Sequence, residues 1–344
     1  DFNTAIGSKA LDSDTQGSKT TAVGRNALKN QNFSSATDSG NTAVGYQAGL
    51  SVTTGQNNTI VGSDAGDAIN TGALNTYVGS SAGSATTTVS NNTAVGAFAL
   101  DAATSGDNTA VGSGALGGSL TGEQNTAVGH DAGNALTSGE HNVFIGHLAG
   151  LSATSCNDSI LVGEQAGGGA TLTGDNNTFI GRAAGFAVTS GANNLFLGNN
   201  AGRASSPSGN IVTGNNVVCL GDDNITSLHC ADTSISSSDS RDKADITDFN
   251  IGLNWVKDLR PVTYKWDKRS WYGTEEKPYG TPDGSKKETK VHIGFLAQEV
   301  LEVEKANGFG DSADTMLTCN ITEDEQRYGM KYERLVPVLV NAIK

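Results

Sequence analysis

Between Asn3 and Gly221 the chain repeats a short phrase in which polar and apolar positions alternate: "NTAVG" at 41–45, "NTIVG" at 58–62, "NTYVG" at 75–79 and "NTAVG" again at 125–129. The glycine that follows Val, Ile or Leu marks each unit. It falls at 7, 24, 45, 62, 79, 96, 112, 129, 146, 163, 181, 198 and 221, so most steps are 17 residues and the last is 23. Alanine stands three residues after the marker from Ala10 to Ala201, and Asn224 replaces it in the last unit. Asn stands four before the marker in most units, among them Asn41, Asn58, Asn75 and Asn125. A fixed period of this length predicts a solenoid or fibre in which every unit is one coil.

Within a unit, "NTAVG" reads as a short β-stretch, which puts Thr42 and Val44 on one face and Ala43 on the other. The aliphatic residue before the glycine is the expected inward one. The glycine then allows a sharp bend, the alanine fits a crowded second corner, and "TG" or "SG" signals a turn before the next phrase. One coil is thus predicted as strand, bend, strand and turn. With one or two aliphatic residues facing in, burial at about 25 cal/mol per Å² has to offset about 1–2 kcal/mol of backbone entropy per residue. On that reading a single coil cannot enclose its own aliphatic strip, and a homotrimer is expected, with a lone β-solenoid as the structural alternative. At about 4.8 Å per strand the units stack to roughly 60 Å.

After residue 237 the pattern changes. "ITDFNIGLNWVKDLRP" places Ile246, Leu253, Val256 and Leu259 at helical spacing and stops at Pro261. "VTYKW" alternates as a strand, "HIGFLAQEVLEVE" starts as a strand and becomes a helix, and Leu335, Val336, Leu339, Val340 and Ile343 form an apolar stripe like the start of a coiled coil. The expected organisation is a mainly β repeat fibre of parallel β-roll coils over 1–225, a serine-rich linker over 226–237, and a small α+β domain over 238–344 ending in a coiled-coil helix.

Composition sharpens the division. Residues 1–237 hold 37 of 45 glycines and a net charge of 6 − 17 = −11, whereas 238–344 hold 8 glycines, all three tryptophans and a charge of 16 − 19 = −3. No Lys or Arg occurs between Lys29 and Arg182, which argues against nucleic-acid binding. No apolar run has the length of a membrane span or a signal segment, and a start at Asp1 is what a fragment would show. Cys156, Cys219, Cys230 and Cys319 have no metal-ligand spacing, so they read as ordinary thiols, with His229-Cys230 beside Cys219 the one weak cluster. "GDNN" at 174–177 and "GDDN" at 221–224 offer oxygen ligands for calcium. They lack the spacing of a calcium β-roll, and Asn side chains bonding their own turns or forming ladders between coils is the better reading. No metal or cofactor is expected.

The phrase N-T-A-V-G-x-x-A, over about 1–225, resembles the head repeats of trimeric autotransporter adhesins and related repeats of bacteriophage tail fibres, although adhesin heads commonly use shorter units. The C-terminal blocks resemble the intramolecular chaperone and auto-processing domain of phage endosialidases and tail fibres, the S74 peptidases. They are S-D-x-R-x-K at Ser238, Asp239, Arg241 and Lys243, then "LRPVTYKW" at 259–266, "HIGFLAQEV" at 292–300 and "YERLVPVLVNAIK" at 332–344. The resemblance implies a viral tail fibre or spike for host attachment. Its C-terminal domain would drive trimerisation and then cleave itself off between Ser237 and Ser238.

In that scheme Ser238 is the nucleophile and Lys243 the general base of a Ser-Lys dyad acting once, in one chain or within the trimer. Asp239 and Arg241 hold the turn. The bland alternative is an exposed linker with charge pairs. The implied partners are two further copies, other virion tail components and a host-surface glycan or protein receptor. Its place would be the virion, after synthesis in the host cytoplasm, with no membrane insertion. A bacterial trimeric surface adhesin is the alternative function. Glycan hydrolysis by residues 1–237 is not expected, because no paired-carboxylate site is visible there.

Overall fold

Each three-residue phrase forms one β-strand, and thirteen strands from Thr4–Ile6 to Val218–Leu220 lie side by side in a single parallel sheet. Register is kept by residue type: Thr42 pairs with Thr59, Ala43 with Ile60 and Val44 with Val61. The computed structural model describes residues 2–225, 227, 238, 240–274, 277–322 and 324–344. They divide into two compact units, one of residues 1–206 and 211–222, the other of 207–210 and 223–344. The first is a β-solenoid with one strand of this sheet per coil, and in its first two coils Gly17–Ser18 and Thr37–Asp38 form a further short parallel pair.

Two expectations need correction. The second leg of the coil is a turn, not a strand. Its residues include Gln47, Asp64 and Asp131 at φ of 56°, 55° and 51°, and its N–H groups bond across to the next coil, as Gly49 does to the Ala65 carbonyl at 3.0 Å. Left-handed residues cannot continue a pleated ladder. The faces of the strand are also reversed. Ala43, Tyr77, Phe144 and Phe179, the middle residues, are fully buried, while Val44, Val128 and Ile145 before the glycine are 37%, 37% and 40% exposed. Each coil therefore closes its interior with its own chain, and the premise that it cannot is overturned. The uncovered aliphatic row lies outside.

In seven coils the interior is filled by a volume exchange between two positions six residues apart, whereas Ala43 and Ala127 are followed by Gly49 and Gly133. Where the middle strand residue is Ala22, Ala94 or Ala110, the later position is Leu28, Leu100 or Leu116, all buried. Where it is Tyr77, Phe144, Phe179 or Phe196, the later position is Gly83, Gly150, Gly185 or Gly202. At Gly185, with φ of +64°, an added Cβ would stand 2.2 Å from the Phe179 ring. The rings of Phe179 and Phe196 stack at 4.8 Å between centroids. The interior thus keeps the dense packing that limits cavities. The marker glycines stack in turn: a Cβ on Gly45 would lie 2.2 Å from the Gly62 carbonyl oxygen.

Along the solenoid's interior runs a ladder of buried asparagines. Asn125 Nδ2 donates to the Asn108 side-chain oxygen at 3.2 Å and to the Gly139 carbonyl at 2.9 Å. Its Oδ1 accepts the backbone N–H of Asn142 at 3.1 Å and the Asn142 amide at 3.0 Å. The same pattern joins Asn41, Asn58 and Asn75, so the ladder reading holds for these residues. Ser159 stands at one of the ladder positions not filled by Asn, and it accepts the Asn177 N–H at 3.2 Å. Replacing Asn125 by Leu preserves bulk but strands the Gly139 carbonyl and the Asn142 N–H. At about 1–3 kcal/mol for each buried unsatisfied group, a destabilisation of roughly 3 kcal/mol or more is expected, read as a lower urea midpoint.

The second unit builds from short elements. Helix α1 spans Leu253–Asp258 only, shorter than its apolar spacing predicts, and Ile246 is outside it and exposed. Pro261 disfavours helix at the preceding residue, and Leu259 is already extended at ψ 135°. Strands Val262–Tyr264 and His292–Gly294 pair antiparallel, then α2 runs Ala297–Ala306, Cys319–Ile321 pairs with Tyr328–Met330, and α3 runs Leu335–Ile343. Trp255 of α1 is buried, and α3 lies so close that a Cβ on Gly252 would be 2.7 Å from the Asn341 backbone. A buried carboxylate pins α2 to the hairpin: Glu304 accepts the N–H groups of Leu317, Thr318 and Cys319 at 3.0, 2.6 and 3.0 Å, and the Thr318 hydroxyl.

Candidate functional site

Within the S-D-x-R-x-K segment, residues 240–243 form a turn. Ser240–Asp242 form a 3₁₀ helix, and the Lys243 N–H reaches back to the Ser240 carbonyl at 3.4 Å. With three residues per turn, the turn brings the Lys243 side chain back over Ser238, where Nζ donates to the Ser238 Oγ at 2.7 Å. Both residues are exposed in the single chain, as is Arg241 on the turn itself. Ser237 and Asp239 lie outside the described residues, as do His229, Cys230 and most of the 226–237 segment. The turn thus sets a hydroxyl and a lysine side chain within hydrogen-bond reach of each other.

Of the four cysteines, Cys156, Cys219 and Cys319 are buried free thiols. Burial pushes the Cys156 and Cys319 thiols up to about 12, with the charges of Asp175 and Glu304 adding to it. A thiol held so far from ionisation is a packing group, not a nucleophile.

A second cluster in the same unit was not legible in the motif. Arg327 grips Asp223 with both ends of its fork, Nη1 to Oδ1 at 2.8 Å and Nη2 to Oδ2 at 2.7 Å. The Ser270 hydroxyl donates to the same carboxylate, and Lys268 Nζ donates to the Asp223 carbonyl at 3.0 Å. Tyr279 joins this group to Asp324: its hydroxyl accepts from Arg327 Nε at 3.3 Å and donates to Asp324 Oδ2 at 3.1 Å. Burial raises the Asp324 pKa, but bonds from the Thr322 hydroxyl and from the Asn210 and Gln326 N–H groups outweigh it, leaving the carboxyl below the ordinary aspartate range. Asp223, Lys268, Ser270, Tyr279 and Arg327 border an open cavity of about 720 Å³ that is also lined by Tyr264, Trp266, Phe295 and Tyr332. Neither Ser238 nor Lys243 lines it.

The turn that holds the Ser-Lys pair opens a segment with recognised relatives. Residues 238–309 match the family described as the chaperone of endosialidase, Peptidase S74. No curated protein and no solved structure gives a match. The family is one of self-cleaving intramolecular chaperones, and trimer formation is implied by it. A solenoid of about 17-residue coils followed by this domain fits a tail-fibre or endosialidase-type architecture. Among the described residues no helix is long and apolar enough to cross a membrane.

Proposed function

We propose that the chain is a segment of a bacteriophage tail fibre or spike used for host attachment. Its domain from Ser238 onward aligns three chains and then cuts the chain between Ser237 and Ser238. The observation that carries the reading is the Lys243–Ser238 hydrogen bond, located at the first residue of the S74 match. In the reaction Lys243 takes the Ser238 hydroxyl proton and Oγ attacks the Ser237 carbonyl carbon. The peptide C–N bond breaks as the Ser238 nitrogen takes up the proton, leaving an ester between Oγ and the Ser237 acyl group. Water hydrolyses that ester, giving a carboxylate at Ser237 and a free amine at Ser238. Asp239 and Arg241 hold the turn.

A base of this kind has to be neutral, and exclusion of water is what favours a neutral lysine. The pair is open to solvent in one chain, so neighbouring chains supply the cover and cutting follows assembly. Two surfaces are suited to those neighbours. Helix α3 leaves Val336, Leu339, Val340 and Ile343 exposed. The outer face of the solenoid sheet presents only Thr, Val, Ile and Leu over thirteen strands, with no charge. Freshly expressed protein is expected to give a trimer mass by light scattering and, on a denaturing gel, a C-terminal fragment whose intact mass begins at Ser238. A folded monomer at working concentration contradicts the proposal. The receptor would be a host-surface glycan or protein, and other tail components would meet the fibre in the virion.

A further inference from the structure

The last repeat is six residues longer than the usual step, 23 against 17, and the purpose of the excess is visible in the second unit. Residues 207–210, "PSGN", group with the second unit although they lie within the last repeat. The Asn210 N–H donates to Asp324 Oδ2 at 3.1 Å. Gly209, at φ +69°, abuts the same loop so closely that an added Cβ would stand 2.9 Å from the Thr322 Cβ and 3.0 Å from Asp324 Oδ1. Asp223 is the second upstream residue held this way, with its side chain 5% exposed, by Arg327, Ser270 and Lys268. All these grips come from residues 268–327, and all the residues gripped precede Ser238.

We infer that Lys268, Ser270, Thr322, Asp324 and Arg327 form a clamp for residues 207–210 and 223, which keeps the C-terminal fragment bound to the fibre after the 237–238 bond is cut. This rests on the cleavage proposed above, but the clamp itself does not depend on how the bond is broken. Asp223 lies 238 − 223 = 15 residues upstream of Ser238, so cutting leaves every one of these hydrogen bonds in place. Release of the chaperone is then a separate step from cleavage. The Asp223–Arg327 pair is mostly buried, with side chains 5% and 18% exposed, so ordinary salt screens it little. The fork geometry of Arg327 on a carboxylate is also the strong form of this interaction.

The test separates cutting from letting go. Cleaved wild-type protein, with cutting verified on a denaturing gel, is run on native size exclusion in about 0.15 M salt. The two fragments are expected to co-elute. Asp223→Ala, a change in the N-terminal fragment that leaves residues 238–344 intact, is expected to be cut equally but to release the C-terminal fragment, with retention weakened about 30-fold or more. The exchanged pair D223R with R327D is expected to restore co-elution. If the gel shows no self-cleavage, the cleavage proposal fails alone. A site-specific protease sequence substituted at 229–235 then produces matching fragments, and the same comparison is made on them. Wild-type fragments that separate as readily as those of Asp223→Ala, or Asp223→Ala fragments retained as firmly as wild type, overturn the clamp.

Discussion

A chain carrying Ser238→Ala is expected to run as one full-length band where the wild type yields fragments 1–237 and 238–344. In the proposed reaction the hydroxyl that Lys243 contacts becomes the acyl carrier, and alanine offers nothing in its place. Lys243→Arg is the more discriminating change. Arginine keeps the positive charge and a donor for Ser238, but it does not deprotonate in proteins. If Lys243 only positions the serine, Arg preserves most of the rate; if it takes the proton, the rate falls about 10²–10⁴-fold, the usual contribution of a general base. The larger loss is expected, followed as fragment yield over time on denaturing gels. Ser236→Ala and Ser237→Ala, which keep the Ser238–Lys243 pair, are expected to cleave. Continued cutting at this bond in Ser238→Ala would remove Ser238 as the nucleophile.

The repeat period, the marker glycines, the alanine three residues on and the Asn ladder were legible in the sequence because each answers to a local rule: a bend, a tight corner or a buried amide needing partners. The direction of the strand faces was not. Choosing Val44 over Ala43 as the inward residue assumed that the larger apolar side chain always wins the interior. Inside a coil with one strand the space is shared with the turn that follows, and Ala43-type positions suffice when that turn or a neighbouring coil supplies the bulk. The missed signal was correlated variation: Ala94 with Leu100 and Ala110 with Leu116, against Phe144 with Gly150 and Phe179 with Gly185. A position whose size is compensated elsewhere in its repeat faces the core. A position that stays Val, Ile or Leu regardless does not have to.

The candidate site divides along the same line. Ser238 and Lys243 are five residues apart, a short spacing that picked Ser238 out of the serine run once the S-D-x-R-x-K resemblance had suggested the pair. Asp223 and Arg327 are 104 residues apart, and no local pattern links them. The 23-residue step was visible in the chain, yet a longer repeat reads equally as a surface loop until its partner is seen.

The outer face of the sheet gives the second large effect, because in the proposed trimer assembly and coil stability act through opposite faces of the same strands. Replacing Val95, Val111 and Val128 by Lys is expected to abolish the trimer while leaving the coils folded. These side chains are 36%, 37% and 37% exposed in the single chain, so lysine reaches water there without disturbing the buried alanines. In a packed assembly the added ammonium groups would be buried unpaired, at several kcal/mol for each ion. The expected readout is a far-UV spectrum like that of wild type with a light-scattering mass of one chain. Phe179→Ala is the converse. It touches no outer surface, but it empties space between Gly185 and the stacked Phe196 ring, a loss of about 3–5 kcal/mol that lowers the unfolding midpoint of the coils. Because the proposed base needs neighbouring chains to exclude water, the lysine variant should also accumulate uncut chain although Ser238 and Lys243 are intact. A trimer that persists with all three lysines in place would show that the aliphatic face is not where the chains meet.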